Sequence, residues 1–482
     1  MSGLFGALAN SAQSLSTQSE GVQLAGKNLA NLSTKGYARQ RLVIGSLGTV
    51  QTPIGAQSMG TQAVGIQQIR DKYLDVQMTR EISQTSLLQA QDINYLKAQA
   101  DLNEQVDSAS SSSSISDTSS STTGISSSLN DFFNAFENVA ASPGDPGAKQ
   151  LLLGKADLLT NKINVTDSRL ASLQDDITAQ NKDDLDTANN LLKQVASLNG
   201  QIQKVEMNAP TSAVDLRDER QAKLEELSQY MNFTVKDIHD GNGQIQILSK
   251  DANGADVTLV DKTSVLGGMT YDDTTKTFSG GAPATALSLQ GGSLKGNVIA
   301  RDEVIQQLRD DIHSMADQLK TSVNQAYNPD GTGKNFFASA PVSGVIALDS
   351  TLSYTNLRTA SNGDAGGNDI ALAVAAVANQ KYSTSAAPAD GTASGVIDGT
   401  LSSFYSKVAS GFGQSISGVE SKLSDQQTVQ SLISTQRDTV SGVSQDEELT
   451  DLMKFQRGFQ ASSRVINVID NLLDIVINGL VK

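Results

Sequence analysis

The sequence contains no cysteine and no tryptophan, and only two of its 482 residues are histidine. The lack of cysteine excludes disulfides and thiolate metal sites. The two histidines, His239 and His313, lie far apart in the chain, so neither a histidine-rich metal centre nor a histidine-based catalytic triad is expected. Aromatic residues make up 4% of the chain, which is low for a carbohydrate- or cofactor-binding enzyme. We therefore predict a protein without enzymatic activity and without a cofactor.

Clusters of positive charge are also missing. The chain carries 36 basic and 52 acidic residues, which gives a formal net charge of −16. Nucleic acid binding normally requires a basic face, so nucleic acid is not an expected partner. No apolar run approaches the roughly 18 residues of a membrane span. No basic residue precedes Lys27, so we expect neither a membrane segment nor a Sec-type signal peptide.

Two short segments resemble parts of ligand sites but lack essential residues. Residues 331–334 read Gly-Thr-Gly-Lys, without the spacing and the following Ser/Thr of a phosphate loop. Residues 251–256 lack the distal glutamate of a calcium loop and are interpreted as a hairpin turn. The acidic pair Asp183 and Asp184 is interpreted as part of a solvated helix face, and His313 as a helix-surface histidine. None of these residues is predicted to carry chemistry.

Residues 449–480 are dominated by apolar side chains at alternating steps of three and four. This spacing predicts a helix with a heptad seam. A second apolar row runs beside the seam, so the helix needs neighbours on more than one side. The seam comprises Leu452, Phe455, Phe459, Ser462, Ile466, Ile469, Leu473, Val476 and Leu480, and the second row comprises Val465, Val468, Leu472 and Ile475. This is either an ordinary buried helix or, as we favour, a helix through which copies of the chain assemble.

The N-terminal segment repeats this pattern, with a serine as the only polar interruption of the seam. The seam residues are Phe5, Leu8, Ala12, Leu15, Ser19, Val22, Ala25, Leu29 and Leu32. We expect the two terminal helices to pair with each other. The first helix should stop before Gly36, because glycine suits the left-handed position that follows a helix.

The intervening chain alternates between helical and strand-like patterns. We predict a mainly α protein, an elongated, coiled-coil-like helical rod with an inserted β domain. The terminal assembly domain comprises residues 1–72, including a short strand-rich connector, and residues 441–482. The helical rod comprises 73–230 and 296–440, and the inserted β domain 231–295. Residues 335–400, rich in glycine and alanine, form an irregular segment or a small subdomain.

Several motifs resemble those of the axial proteins of the bacterial flagellum. Asn28, Leu29, Ala30 and Asn31, followed by Ser33, Thr34, Gly36 and Tyr37, resemble the N-terminal signature of rod, hook and hook-associated proteins. Segments 124–133 and 143–146 resemble the hook-associated proteins in particular, as do 441–448 and 455–462. The β segment and the serine-rich tract around residues 108–128 have no counterpart in this resemblance.

The resemblance implies a structural adaptor between hook and filament in the extracellular flagellum. It implies a homo-oligomeric ring, with hook protein on one side and a second junction protein and the filament on the other. It also implies export by the flagellar type III system, with a cytoplasmic chaperone that binds the C-terminal region. The assembly interface would comprise Leu8, Leu15, Val22, Leu29, Leu452, Phe455, Phe459, Ile466, Ile469, Leu473, Val476 and Leu480. A polar strip would face the central channel, namely Arg464, Asn467, Asn471, Asp474 and Asn478.

Two alternatives remain open at this point. Another axial protein, such as the hook protein, shares the terminal helices but would form a long tube alone. A secreted effector would carry its activity in the β segment, where no nucleophile, base or metal ligands converge in the sequence.

Overall fold

The computed structural model describes residues 2–34, 36–52, 55–58, 60–102, 124–207, 209–238, 242–331, 333–338, 344–364, 366–385 and 391–479. The chain forms two compact units. Unit 1 comprises residues 1–85, 185–292 and 426–482, and unit 2 comprises residues 86–184 and 293–425. Three long helices contribute residues to both units. The predicted domain boundaries stay a prediction.

The protein is mainly α-helical, as predicted. The helices are α1 (Ser2–Ala30), α2 (Lys72–Leu102), α3 (Ile125–Ala141), α4 (Pro146–Glu206), α5 (Val214–Ser228), α6 (Ser293–Val298), α7 (Gln306–Tyr327), α8 (Asp369–Ala376), α9 (Leu401–Ser441) and α10 (Gln445–Gly479). A π-helical segment, Ile299–Ile305, joins α6 to α7, and a 3-10 turn, Val377–Asn379, follows α8. The described helices include none with the length and hydropathy of a membrane span.

The strands form small, separate sheets. They are β1 (Gln40–Ser46), β2 (Thr49–Thr52), β3 (Gly55–Ser58), β4 (Thr61–Gln68), β5 (Thr234–Asp237), β6 (Ile245–Lys250), β7 (Asp256–Asp261), β8 (Ser264–Val265), β9 (Thr270–Asp272), β10 (Thr277–Gly280), β11 (Thr285–Leu287), β12 (Phe337–Ala338), β13 (Ala347–Leu348), β14 (Lys381–Ser383) and β15 (Thr392–Ser394). β1 pairs with β4, and β2 with β3, in antiparallel hairpins. β5–β8 form a four-stranded antiparallel sheet, and β9–β11 a three-stranded one.

The two terminal helices pair with each other, which confirms the prediction. A Cβ atom on Gly21 of α1 would lie 2.5 Å from the Phe455 ring of α10, so the aromatic ring requires a glycine there. The hydroxyls of Ser14 and Ser462 lie 3.2 Å apart across the same contact. Small residues on α1 thus allow a close approach of α10.

The predicted β segment is present and belongs to unit 1. Its first sheet is held to α4 by Asn199, whose Nδ2 atom donates hydrogen bonds to the carbonyls of Ile245 (3.0 Å) and Lys262 (2.6 Å). The turn around Asp251 is a hairpin turn, because its carboxylate accepts hydrogen bonds from the amides of Asn253 and Ala255. These backbone amides occupy Asp251 Oδ1, the kind of carboxylate oxygen that binds the cation in a calcium loop.

The core of unit 2 is built around aromatic side chains. Phe132 and Phe136 of α3 pack against Phe336 and Phe337, with ring centroids between 5.2 and 5.8 Å apart across these contacts. Tyr327 at the end of α7 closes the cluster. Residues 336 and 337 come from the segment that was predicted to be irregular, so part of that segment supplies core packing.

The prediction of a solvated Asp183–Asp184 face is wrong for Asp184. Its side chain is buried and accepts hydrogen bonds from Gln180 Nε2 (2.8 Å) and Ser293 Oγ (2.7 Å). His313 is a partly exposed helix residue whose Nε2 lies 2.8 Å from Asp167 Oδ1. His239 lies outside the described residues.

Candidate assembly interface

The inward side of the α1–α10 pair buries few large side chains. Ile469 and Leu473 are the buried members of the α10 seam, and Leu24 and Ala25 are buried on α1. Most other described residues of the predicted interface are half-buried, namely Leu8, Leu15, Val22, Leu29, Leu452, Phe455, Ile466 and Val476. Phe459 is 38% exposed in the single chain. Leu480 lies outside the described residues. The helix pair therefore has a thin core of its own.

The second apolar row of α10 is open in the single chain. Its four side chains are 45–65% exposed: Val465, Val468, Leu472 and Ile475. A contiguous row of exposed β-branched and leucine side chains is typical of an interaction surface. The polar strip is exposed as well at Arg464, Asn467, Asn471 and Asp474, whereas the side chain of Asn478 lies outside the described part. Both predicted features of this helix thus face away from α1.

Asn28 joins the end of α1 to the start of α10. Its Nδ2 atom donates hydrogen bonds to the Gln40 carbonyl (2.8 Å) and to Glu448 Oε2 (3.0 Å). Its Oδ1 atom accepts hydrogen bonds from the Tyr37 hydroxyl (2.8 Å) and the Gln40 amide (3.2 Å). Because Asn28 is buried and all these bonds are made, the side chain fixes three segments at once. These four hydrogen bonds are a structural reason for an asparagine at position 28, the first position of the N-terminal motif at residues 28–37.

Asn31 and Gly36 shape the turn that follows α1. Asn31 Nδ2 donates to the Lys27 carbonyl (2.9 Å), which also accepts from the Asn31 amide (3.2 Å), so Asn31 closes the last turn of α1. Gly36 has a φ of 80°, the left-handed conformation predicted from the sequence. The Gly36 carbonyl accepts a hydrogen bond from Arg70 Nη2 (2.7 Å). The motif residues thus act locally to direct the chain from α1 into β1.

Arg39, which follows α1, and Glu448, near the start of α10, form the central ion pair of what we call the α1–α10 junction. Arg39 Nε lies 2.6 Å from Glu448 Oε1, and Nη1 lies 2.5 Å from Glu447 Oε2. Asp451, one turn further along α10, is 3.5 Å from Nη2. The Arg39 amide also donates to the Ser441 carbonyl at the end of α9 (2.9 Å). Ser444 and Glu447 have the sequence spacing of a capping box, but the Glu447 carboxylate pairs with Arg39.

Buried acids near the motif have shifted pKa values. Burial raises the pKa of Tyr37, and the carboxylates of Asp218, Asp215 and Glu448 add to the effect. The neutral Tyr37 hydroxyl is therefore the form that donates to Asn28. Burial also raises the pKa of Asp218 to about 6, although Arg70 Nη2 lies 2.8 Å from its Oδ1 atom and opposes the shift.

The raised pKa of Asp218 predicts a specific pH dependence. Between the ordinary pKa of 3.8 and about 6, the folded chain binds this proton more tightly than the unfolded chain. The contribution of Asp218 to the free energy of unfolding therefore falls as the pH rises through this window. Urea unfolding gives the free energy of unfolding of the wild type and of Asp218→Asn at each pH. We expect the difference, wild type minus variant, to decrease by at most about 3 kcal/mol between pH 4 and pH 7.

Asp215 provides a control of opposite sign. Burial acts to raise the pKa of this carboxyl, but hydrogen bonds from Lys27 and Gln40 outweigh it and lower the pKa. Asp215 thus contributes stability above its unfolded pKa, which is lost as the pH falls. The corresponding difference for Asp215→Asn should increase with pH. A pH-independent difference for Asp218→Asn would contradict the assignment.

Sequence reasoning missed the junction partners of the motif, Arg39, Glu448 and Asp215. The sequence assigns no role to Arg39, and the acidic residues at the start of α10 lie in segment 441–448, which the sequence connects with the family resemblance. The spacing of Glu447, Glu448 and Asp451 on one turn of a helix was the available signal, because three acids near one helix face attract an arginine.

Comparison with protein families gives a consistent result for the middle and the C-terminal part of the chain. Residues 112–337 match the family model described as flagellar hook-associated protein FlgK helical domain. Residues 431–479 match the model described as flagellar basal body rod FlgEFG protein C-terminal. The second match contains all of α10 and the end of α9.

Full-length relatives have similar descriptions. The chain is 23% identical to flagellar hook-associated protein 1 of Bacillus subtilis, over 100% of this chain and 99% of the relative. It is 22% identical to the Escherichia coli protein of the same name, over 97% of this chain and 98% of the relative. Among solved structures, the flagellar hook junction protein FlgK from Burkholderia pseudomallei matches with a TM-score of 0.43 and 22% identity, over 55% of this chain and 47% of that chain.

Proposed function

Because this chain belongs to the flagellar hook-associated protein 1 family, we propose that it is a structural axial component of the flagellum that joins the hook to the filament. The open apolar row on α10 is the observation that supports this role most directly. A helix that pairs with α1 and still exposes four large aliphatic side chains has a second surface to bury. Assembly with further subunits buries it.

The proposed interface consists of the terminal helices of many copies arranged in a ring. Hook protein contacts the ring on one side, and a second junction protein and the filament contact it on the other. The ring acts mechanically and requires no cofactor. Each buried aliphatic side chain contributes on the order of 2 kcal/mol per subunit. Repetition around a ring multiplies this small term, so the assembly is stable although the monomeric helix pair has a thin core.

The exposed row also bears on export. The protein is proposed to leave the cell through the flagellar type III apparatus and to function outside it. Before export, the apolar row would promote aggregation, because no part of the described chain covers it. A cytoplasmic chaperone that binds the C-terminal region is the proposed partner at that stage.

The polar strip on α10 is proposed to face the water-filled channel of the assembled tube. Asn471→Leu and Asp474→Leu should therefore leave the stability of the monomer within about 0.5 kcal/mol, because both side chains are exposed. They should reduce the export of subunits that pass through the channel, measured as flagellin incorporated per cell. Normal filament length in the double variant would remove the channel assignment.

Deletion of the gene, scored by electron microscopy, tests the proposed function. We expect cells with hooks but without filaments, and flagellin free in the medium. Complementation with the wild-type gene should restore the filaments. Filaments of normal number in the deletion strain would overturn the proposal, and cells without hooks would favour a hook or rod component.

A further inference from the structure

We propose that the two-stranded ribbon formed by β1 and β4 is a contact surface for a second copy of this chain. This inference rests on the proposed function, because it concerns how copies meet in the assembly. The ribbon is antiparallel, with Gln40 opposite Gln68 and Ser46 opposite Thr61. It belongs to unit 1, the unit that also contains the paired terminal helices.

The ribbon lies in an uncharged stretch of an acidic protein. Residues 42–69 contain no Asp, Glu, Lys or Arg, although the chain as a whole carries a net charge of −16. Natural proteins usually protect exposed strand edges with charged side chains, especially lysine. This ribbon lacks such protection along nearly its entire length.

Apolar side chains are exposed along both strands. Val64 is 63% exposed, and Val43, Ile44 and Ile66 are exposed as well. In the part of the chain that the structure describes, β1 and β4 pair only with each other, so each strand has an outer edge without a strand partner. A further contact would therefore bury apolar surface that the described chain leaves open.

A β-bulge sets the position of the most exposed side chain. Val43 lies opposite Gly65 and Ile44 lies opposite Ala63, so Val64 is the extra residue of β4. A Cβ atom on Gly45 would lie 2.5 Å from Val64 Cγ2. Glycine at position 45 therefore makes room for the valine, which stands above the ribbon surface. Bulges often direct a side chain in this way, and here the side chain is apolar.

Charge and continuity identify a second copy as the occupant. Identical chains of net charge −16 repel each other wherever their acidic surfaces approach. An uncharged surface is where two such chains meet without this cost. Charge complementarity would select a partner of different composition, and residues 42–69 of the ribbon region carry no charge that could provide it. The ribbon is also continuous with α1, because Asn28 binds Gln40 and a Cβ atom on Gly60 would lie 3.5 Å from Asn10 Cβ.

Complementation of the deletion strain with ribbon variants tests this contact. Val64→Asp places a carboxylate in the proposed contact, whereas Val64→Thr keeps the β-branched shape without charge. Val396→Asp in unit 2 is the matched control, because Val396 is 57% exposed and lies outside the ribbon. All three purified chains should have the unfolding midpoint of the wild type. Filament number should fall more than about tenfold for Val64→Asp alone, because a charge buried at an apolar contact is strongly unfavourable.

A photoreactive residue identifies the occupant. Thr61→p-benzoylphenylalanine, at an exposed position on β4, is expressed in the deletion strain, and isolated flagella are irradiated. A product of twice the chain mass that contains only this chain supports the proposal. A product with a different flagellar protein, or no product of twice the mass, overturns it.

The outcomes separate this inference from the proposed function. If the deletion strain has no filaments and Val64→Asp restores them to the wild-type number, the ribbon contact is wrong and the proposed function stands. If the deletion strain keeps its filaments, the proposed function itself is wrong.

Discussion

Val468→Asp is expected to abolish filament attachment while leaving the purified chain folded. Val468 lies in the middle of the open row on α10 and is 57% exposed. Substitutions at exposed positions usually change the free energy of unfolding by no more than about 0.5 kcal/mol. In the assembly, the same carboxylate would be buried among apolar side chains without a partner, which is strongly unfavourable. The readouts are urea unfolding of the chain and filament counts in the complemented deletion strain.

An inward substitution on the same helix provides the contrast. Leu473 is buried against α1, so Leu473→Ala should destabilise the helix pair by roughly 2–4 kcal/mol before any assembly. Asp470→Asn, at an exposed polar position, should change neither property. Filaments of normal number in Val468→Asp cells would contradict the proposed interface, as would a loss of monomer stability as large as that of Leu473→Ala.

Glu448→Ala is expected to have the largest effect on the junction between α1 and α10. Glu448 is 2% exposed, and its carboxylate accepts from both Asn28 and Arg39. Removal leaves the buried Asn28 amide with the Gln40 carbonyl as its remaining acceptor and Arg39 Nε without its carboxylate, which we expect to cost about 3 kcal/mol. The expected result is a lower unfolding midpoint in urea and faster proteolysis at residues 441–448.

Glu447→Ala is the matched control for this prediction. Glu447 also pairs with Arg39, but its side chain is 63% exposed. Exposed pairs contribute only about 0–1 kcal/mol, so this variant should unfold almost like the wild type. Equal effects of the two substitutions would show that burial at the junction has no special role.

The periodic elements were predictable because periodicity reports directly which face is buried. The three/four spacing in α1 and α10 gave both helices and their pairing, and the period-two segments gave β6 and β7. The left-handed turn at Gly36 followed from the stereochemistry of glycine. The family resemblance added the flagellar assignment, which the family models support over residues 112–337 and 431–479.

Features that depend on distant partners were not predictable. Asp184 looked solvated within its own helix, but Ser293, distant in sequence, hydrogen-bonds its carboxylate and it is buried. Phe459 occupies a seam position, yet Gly21 of α1 receives Phe455 instead, and Phe459 stays exposed. Glu447 has the spacing from Ser444 that suits a capping box, and only the position of Arg39 assigns Glu447 and Glu448 to ion pairs. In each case a tertiary contact decided between two locally reasonable arrangements.

Thiol labelling at position 468 tests the central claim most directly, since the chain has no native cysteine. Val468→Cys is treated with a maleimide in purified monomer and in isolated hook–filament particles from a strain whose filaments it restores. The account predicts rapid labelling of the monomer and protection in the particles. Equal labelling rates in the two samples would show that the open row of α10 stays exposed in the flagellum, and would contradict the account.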